Sequence, residues 1–147
     1  MGYFSSLDIS STGLTAQRLR MDIISQNIAN AETTRNENGQ PYRRKLVVFE
    51  EKSTSAPFSE YLNAGSKDKI AGNGVRVSNI IEDQSPLKKI YNPGHPDADK
   101  DGYVSMPNVD VLTEMINMIS ATRSYEANVT AINTTKSIAM KALDIGR

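Results

Sequence analysis

The chain has 147 residues, with 17 basic and 17 acidic side chains and no cysteine. Its neutral balance offers no electrostatic drive toward nucleic acid or an anionic membrane, and the missing thiols exclude disulfide frameworks, Cys-ligated zinc and thiol catalysis. Hydrophobic residues make up 38% of the sequence, with three Phe and no Trp, which is thin for a self-sufficient core and implies apolar surface covered by partners.

All six prolines lie between residues 41 and 107, and most of the glycines lie there too. Proline removes a backbone donor and clashes inside a helix, so the two ends read as helices and the middle does not. The expected fold class is α+β: long N- and C-terminal helices packed as a coiled-coil-like layer, with a small β-rich module inserted between them. The expected division is 1–35, 36–107 and 108–147. The longest apolar runs span only a few residues, such as Leu46–Phe49, so membrane insertion is not expected. A charged n-region followed by an apolar h-region is missing from the opening residues, so no cleaved signal peptide is expected.

The first helix is expected to start at Ser5 or Ser6, either of which can cap it, and to run to Asn30 or Ala31. It carries two apolar stripes of heptad spacing. One holds Leu7, Leu14, Met21 and Ile28, joined by Ile24 and Ala31; the other holds Ile9, Ala16 and Ile23, beside Leu19. At about 100° per residue the stripes fall on nearly opposite sides. One core needs one stripe, so two stripes imply two sets of neighbours.

The middle reads as four short strands. Tyr42–Phe49 is rich in β-formers, and Val75, Val77 and Ile81 sit at alternating positions after an Ala-Gly-Asn-Gly turn at 71–74. Leu87–Tyr91 and Tyr103–Met106 flank the Asn92-Pro93-Gly94 turn and an acidic loop. Residues 52–70 read as a loop with a short helical piece. Four such strands make a small, partly open module. The basic cluster Arg43-Arg44-Lys45 is too short for a nucleic-acid face and reads as a solvated strand end.

In the C-terminal segment, Val111, Met115, Met118, Thr122, Tyr125, Val129, Ile132, Lys136, Ala139 and Leu143 recur in steps of four and three. That is a coiled-coil seam over four heptads. Ala127, Ala131, Ile138, Ala142 and Ile145 form a second stripe. Asn108 or Asp110 is placed to cap the helix, and Gly146 to end it. Two-striped helices at both ends point to packing between molecules. The expected assembly contacts are therefore Leu7, Ile9, Leu14, Met21, Ile23 and Ile28 in the first helix. In the second they are Val111, Met115, Met118, Tyr125, Val129, Ile132, Ala139 and Leu143.

Catalytic and cofactor motifs are not found. Asp97-Ala98-Asp99-Lys100-Asp101-Gly102 imitates the opening of an EF-hand loop, but Asn108 stands where a bidentate Glu belongs, and Pro93 and Pro96 forbid an entering helix. A calcium-binding module using residues 97–102 stays as an alternative, as does a non-filamentous helical adaptor. His95 is the sole histidine and has no Cys or second His to share a metal, so it reads as a turn residue.

Two segments carry a resemblance. Ser11–Ala31, with the core Asn27-Ile28-Ala29-Asn30, resembles the N-terminal motif of bacterial flagellar rod and hook proteins. Ser120–Val129, followed by Ala142–Arg147, is similar to the C-terminal motif of the same axial family. Gly39–Arg44 and Asn92–Asp99 narrow the likeness to its proximal-rod members. Gln26 stands where Asn is frequent in that family. The resemblance implies a structural subunit, not an enzyme, that assembles with itself and other rod proteins into a helical tube transmitting motor torque to the hook. It adds Asn27 and Asn30 to the assembly contacts. It also implies export through the flagellar type III apparatus and a place in the basal body, in the rod that crosses the periplasm.

Overall fold

The computed structural model describes residues 3–36, 38–52 and 74–145. Helix α1 spans Tyr3–Ala29 and helix α2 spans Val111–Ile145. Between them, strand β1 (Lys45–Glu51) pairs antiparallel with β2 (Val75–Glu82), and β3 (Lys88–Tyr91) pairs antiparallel with β4 (Tyr103–Met106). The architecture is α+β, as the distribution of proline implies.

The helices lie antiparallel. Met21 faces Thr122 across the pair, with Thr122 Oγ1 3.6 Å from Met21 Sδ, while Asn27 meets Glu114. At 1.5 Å per residue α1 is about 40 Å long and α2 about 52 Å. Given that register, the last turns of α2 run on past the start of α1. Ala121 on α2 has no exposed surface.

The four strands make the small β module expected from the sequence. They make two separate two-stranded sheets, β1–β2 and β3–β4. The first runs in register from Lys45↔Glu82 to Glu51↔Val75, with a bulge between Val48 and Phe49. Its strand β1 starts at Lys45, later than the sequence suggests, because the preceding backbone is drawn elsewhere: Tyr42 N–H bonds Thr33 O at 3.1 Å and Arg44 N–H bonds Asn108 Oδ1 at 2.9 Å. In the second hairpin the rings of Tyr91 and Tyr103 pack edge to face with centroids 5.3 Å apart. Gly102 adopts φ +80° beneath them, where a Cβ would come within 2.9 Å of the Tyr91 ring. The expected loop and helical piece at 52–70, and the turn residues 71–73, fall outside the described residues apart from Lys52.

Helix α1 has the two sets of neighbours that its stripes imply, and both belong to this chain. One side meets α2. The other meets the β1–β2 hairpin, where Thr12 Oγ1 accepts Val75 N–H at 3.1 Å and Ala16 and Leu19 line a groove with Val75 and Val77. The buried apolar residues are few and mostly small: Ala16 and Ile24 on α1, Val104 on β4, Val109 before α2, and Ala121 on α2.

Candidate assembly interface

Where α1 ends and α2 begins, the chain buries a polar cluster. Asn27 and Glu114 are each 1% exposed. Asn27 Nδ2 donates to Glu114 Oε2 at 3.0 Å and to Lys45 O at 2.9 Å. Its Oδ1 accepts the Tyr42 hydroxyl at 2.8 Å and Lys45 N–H at 2.9 Å. Arg44 reaches in from the start of β1 and donates through Nε and Nη2 to Glu114 Oε1 at 2.9 and 2.6 Å, while lying 3.7 Å from Asp83. Burial, then Glu114 and Glu82, push the Tyr42 phenol above its ordinary value of 10.0.

Arg44 therefore corrects the reading of Arg43–Lys45 as a solvated strand end. Its guanidinium is committed to a buried carboxylate, and the chain folds three elements around that pair. Glu114 and Arg44 escape a search by hydrophobic periodicity because a charged residue scores as surface; the one available signal is that Glu114 is the sole charge between Val111 and Thr122.

The same burial rotates the α2 seam. The fully covered positions are Glu114 and Ala121, with Asn128 lying against Gly13 of α1. Met118, Tyr125, Val129, Ile132 and Ala139 are half-buried beside that line, whereas Val111, Met115 and Leu143 are exposed. On α1, Leu7, Ile9, Leu14, Met21, Ile23 and Ile28 are half-buried; Asn27 is buried inside the chain, and Asn30 is held locally, donating to Gln26 O and accepting from Thr33 Oγ1.

Two apolar surfaces on α2 lack cover from the described residues. Leu112 (68% exposed), Ile116 (61%) and Ile119 (55%) share one face at i, i+4, i+7 spacing. The second is the overhanging end, where Leu143 is 71% and Ile145 86% exposed. The Leu112–Ile116–Ile119 stripe lies outside both stripes expected for this helix. A soluble monomer seldom leaves so much contiguous apolar surface in water.

Helix α2 is capped by Asp110, not Asn108. Asp110 O accepts Glu114 N–H at 2.9 Å, and its carboxylate accepts the Thr113 hydroxyl. The Thr113 hydrogen bonds hold the Asp110 carboxyl below its ordinary value, against a smaller opposing effect of burial. Asn108 instead ties the hairpins together, accepting Arg44 N–H and donating to Asp83 O at 3.0 Å.

The acidic turn is occupied by its own neighbours. Asp97 Oδ2 accepts the Thr34 hydroxyl at 2.8 Å, Arg35 lies 3.7 Å away, and Asp97 N–H donates to His95 Nδ1 at 3.1 Å. Asp99 Oδ1 accepts Lys100 N–H at 2.7 Å. Nothing in these contacts supports the calcium alternative. Among the described residues, no helix is long and apolar enough to cross a membrane.

Paired terminal helices with a small β insertion between them frame the chain, and its terminal regions match family models of flagellar basal-body rod proteins. Residues 7–35 match the model described as flagella basal body rod protein, and residues 100–145 the model described as flagellar basal body rod FlgEFG protein C-terminal. Full-length relatives are more specific. The chain is 53% identical to the flagellar basal-body rod protein FlgC of Bacillus subtilis over all of both chains, and 51% identical to that of Borreliella burgdorferi over 99% and 98%. The FlgC of Escherichia coli O157:H7 is 44% identical over the whole of both. The chain belongs to the family of flagellar basal-body rod protein FlgC.

Proposed function

We propose that the chain is a structural, non-catalytic building block of the flagellar rod, joined to its neighbours through the outer face and overhanging end of α2. The observation that carries this reading is the exposed stripe Leu112–Ile116–Ile119, continuous with exposed Val111 and Met115, on a helix whose opposite side is already packed on α1. A contact between different surfaces of successive subunits, where its rotation does not close a ring, generates an open helical assembly. Copies of this chain and other rod proteins are the partners, and the rod they build crosses the periplasm and passes torque to the hook. The chain reaches that site through the flagellar type III apparatus. Its divisions are the layer-forming ends, 1–35 and 108–147, and the β-rich insert, 36–107.

The test is complementation of a strain lacking this subunit, scored by swimming in soft agar at matched expression. Ile116→Asp places a charge on the outer face without touching the α1 side, and a charge trapped in an assembled contact costs several kcal/mol. It should abolish swimming and rod incorporation while the purified chain keeps its helix content. Asp101→Ala, in the acidic turn, should leave swimming intact. The reverse ranking would sink the filament reading and restore calcium.

A further inference from the structure

Apolar matching alone does not fix how far one helix slides along the other. Leu7, Leu14, Met21 and Ile28 recur every seven residues, and the apolar line of α2 has the same period. A slide of one heptad sets apolar against apolar again. Two contacts break this degeneracy. At one end Asn27 donates to Glu114 Oε2 at 3.0 Å. At the other, Gly13 lies so close to Asn128 that a Cβ on residue 13 would come within 3.1 Å of the carboxamide. Fourteen residues separate Gly13 from Asn27, and fourteen separate Glu114 from Asn128, so one register satisfies both contacts. A slide one way sets Arg20 against Asn128, where glycine fits, and Ala121 against Asn27. A slide the other way carries Asn27 beyond the first turn of α2.

We propose that Asn27, Glu114 and Arg44 form a register lock, selecting one helix pairing among several of similar apolar content. A buried ion pair is a weak source of stability, because desolvation offsets its attraction, but it discriminates strongly against arrangements that leave a partner unmatched. Here the unmatched arrangement is a buried carboxylate that has lost Asn27. Register has a consequence beyond the pair, since it determines how far α2 overhangs α1 and hence where Leu143 and Ile145 are presented. The inference rests on the fold of one chain and stands apart from the rod reading.

The chain has no cysteine, so introduced pairs report without background. Met21→Cys with Thr122→Cys reads the observed register. Met21→Cys with Val129→Cys, or with Met115→Cys, reads a slide of one heptad in either direction. Oxidised at high dilution, the full-length chain should form the 21–122 link within one chain and not the shifted links. Adding Glu114→Leu leaves Arg44 with solvent and Asp83. Helix content should then hold, by far-UV circular dichroism, while the 21–122 link declines and a shifted link appears. Asn27→Leu should act in the same direction, and if one variant fails to fold the other decides. An undiminished 21–122 link in the variants overturns the proposal. Loss of helix content in both also overturns it, because stability and not register would then rest on these groups.

Discussion

Arg44 and Glu114 are unequal partners, because the carboxylate is buried while the guanidinium keeps a fifth of its side-chain surface. Removing Glu114 leaves a cation that water can reach. Removing Arg44 leaves Glu114 with two side-chain amides, Asn27 at 3.0 Å and Asn117 at 3.3 Å, and no counter-charge. Arg44→Met should therefore destabilise the chain by about 3 kcal/mol in urea unfolding. The double change Arg44→Met with Glu114→Leu should recover most of that loss; a double variant no better than the single would refute the asymmetry. Tyr42 gives the cluster an alkaline signature. Its phenol is held above 10.0, chiefly by burial, so the folded state keeps the proton where the unfolded chain releases it. That contribution is complete below the unfolded value and is lost as pH rises through the folded one. Tyr42→Phe should cost about 1 kcal/mol at neutral pH, through the hydrogen bond to Asn27. It should also flatten the fall in stability above pH 10 relative to the parent chain.

Among the elements, α2 has a chemically defined start. Asp110 accepts from Thr113, and the resulting hydrogen bonds hold its carboxyl below the ordinary 3.8. A depressed carboxyl stabilises the fold above the unfolded value and loses that effect as pH falls through the folded one. Helix content followed by circular dichroism should thus drop on acidification below about pH 4. Asp110→Ala should begin lower at neutral pH and show a shallower acid step. Asp83 titrates in the same direction, through Ser85, so Asp83→Ala must be compared before the whole step is assigned to the cap. The element map shows what sequence makes legible. Strand β4 and both helices follow from local signals, because breakers are absent from the ends and β-formers cluster at Tyr103–Met106. The start of β1 does not, since Tyr42 is drawn to the loop residue Thr33 and the pairing of Arg44 with Asn108 is long-range. Nor does the true seam of α2. Its most buried side chains are a Glu and an Ala, and no apolar pattern marks a carboxylate for burial when its partners lie on two other elements.

At the scale of the molecule, two long helices share a core whose buried apolar residues are mostly small, and larger apolar side chains remain on the outside of α2. Folding one chain therefore satisfies the α1 side of the helix pair and leaves the other side uncovered by the described residues. The overhang makes the clearest case. Beyond Ile138 the α2 residues run toward and past the start of α1, and Leu143 and Ile145 gain little from the single chain. The ordering of such an end costs about 1–2 kcal/mol per residue in backbone entropy, with little burial in the single chain to offset it, and on the proposed rod reading its stability comes from assembly. Because the chain has no cysteine, Leu143→Cys supplies a unique reporter there. A soluble maleimide should label it rapidly in the dilute chain and slowly in isolated basal bodies. Thiol substitution removes part of one apolar side chain and no charge, so a variant that still supports swimming gives an assembled state to compare. Equal labelling in the two states would place the overhang in solvent within the rod, leaving Leu112, Ile116 and Ile119 as the surface through which subunits meet.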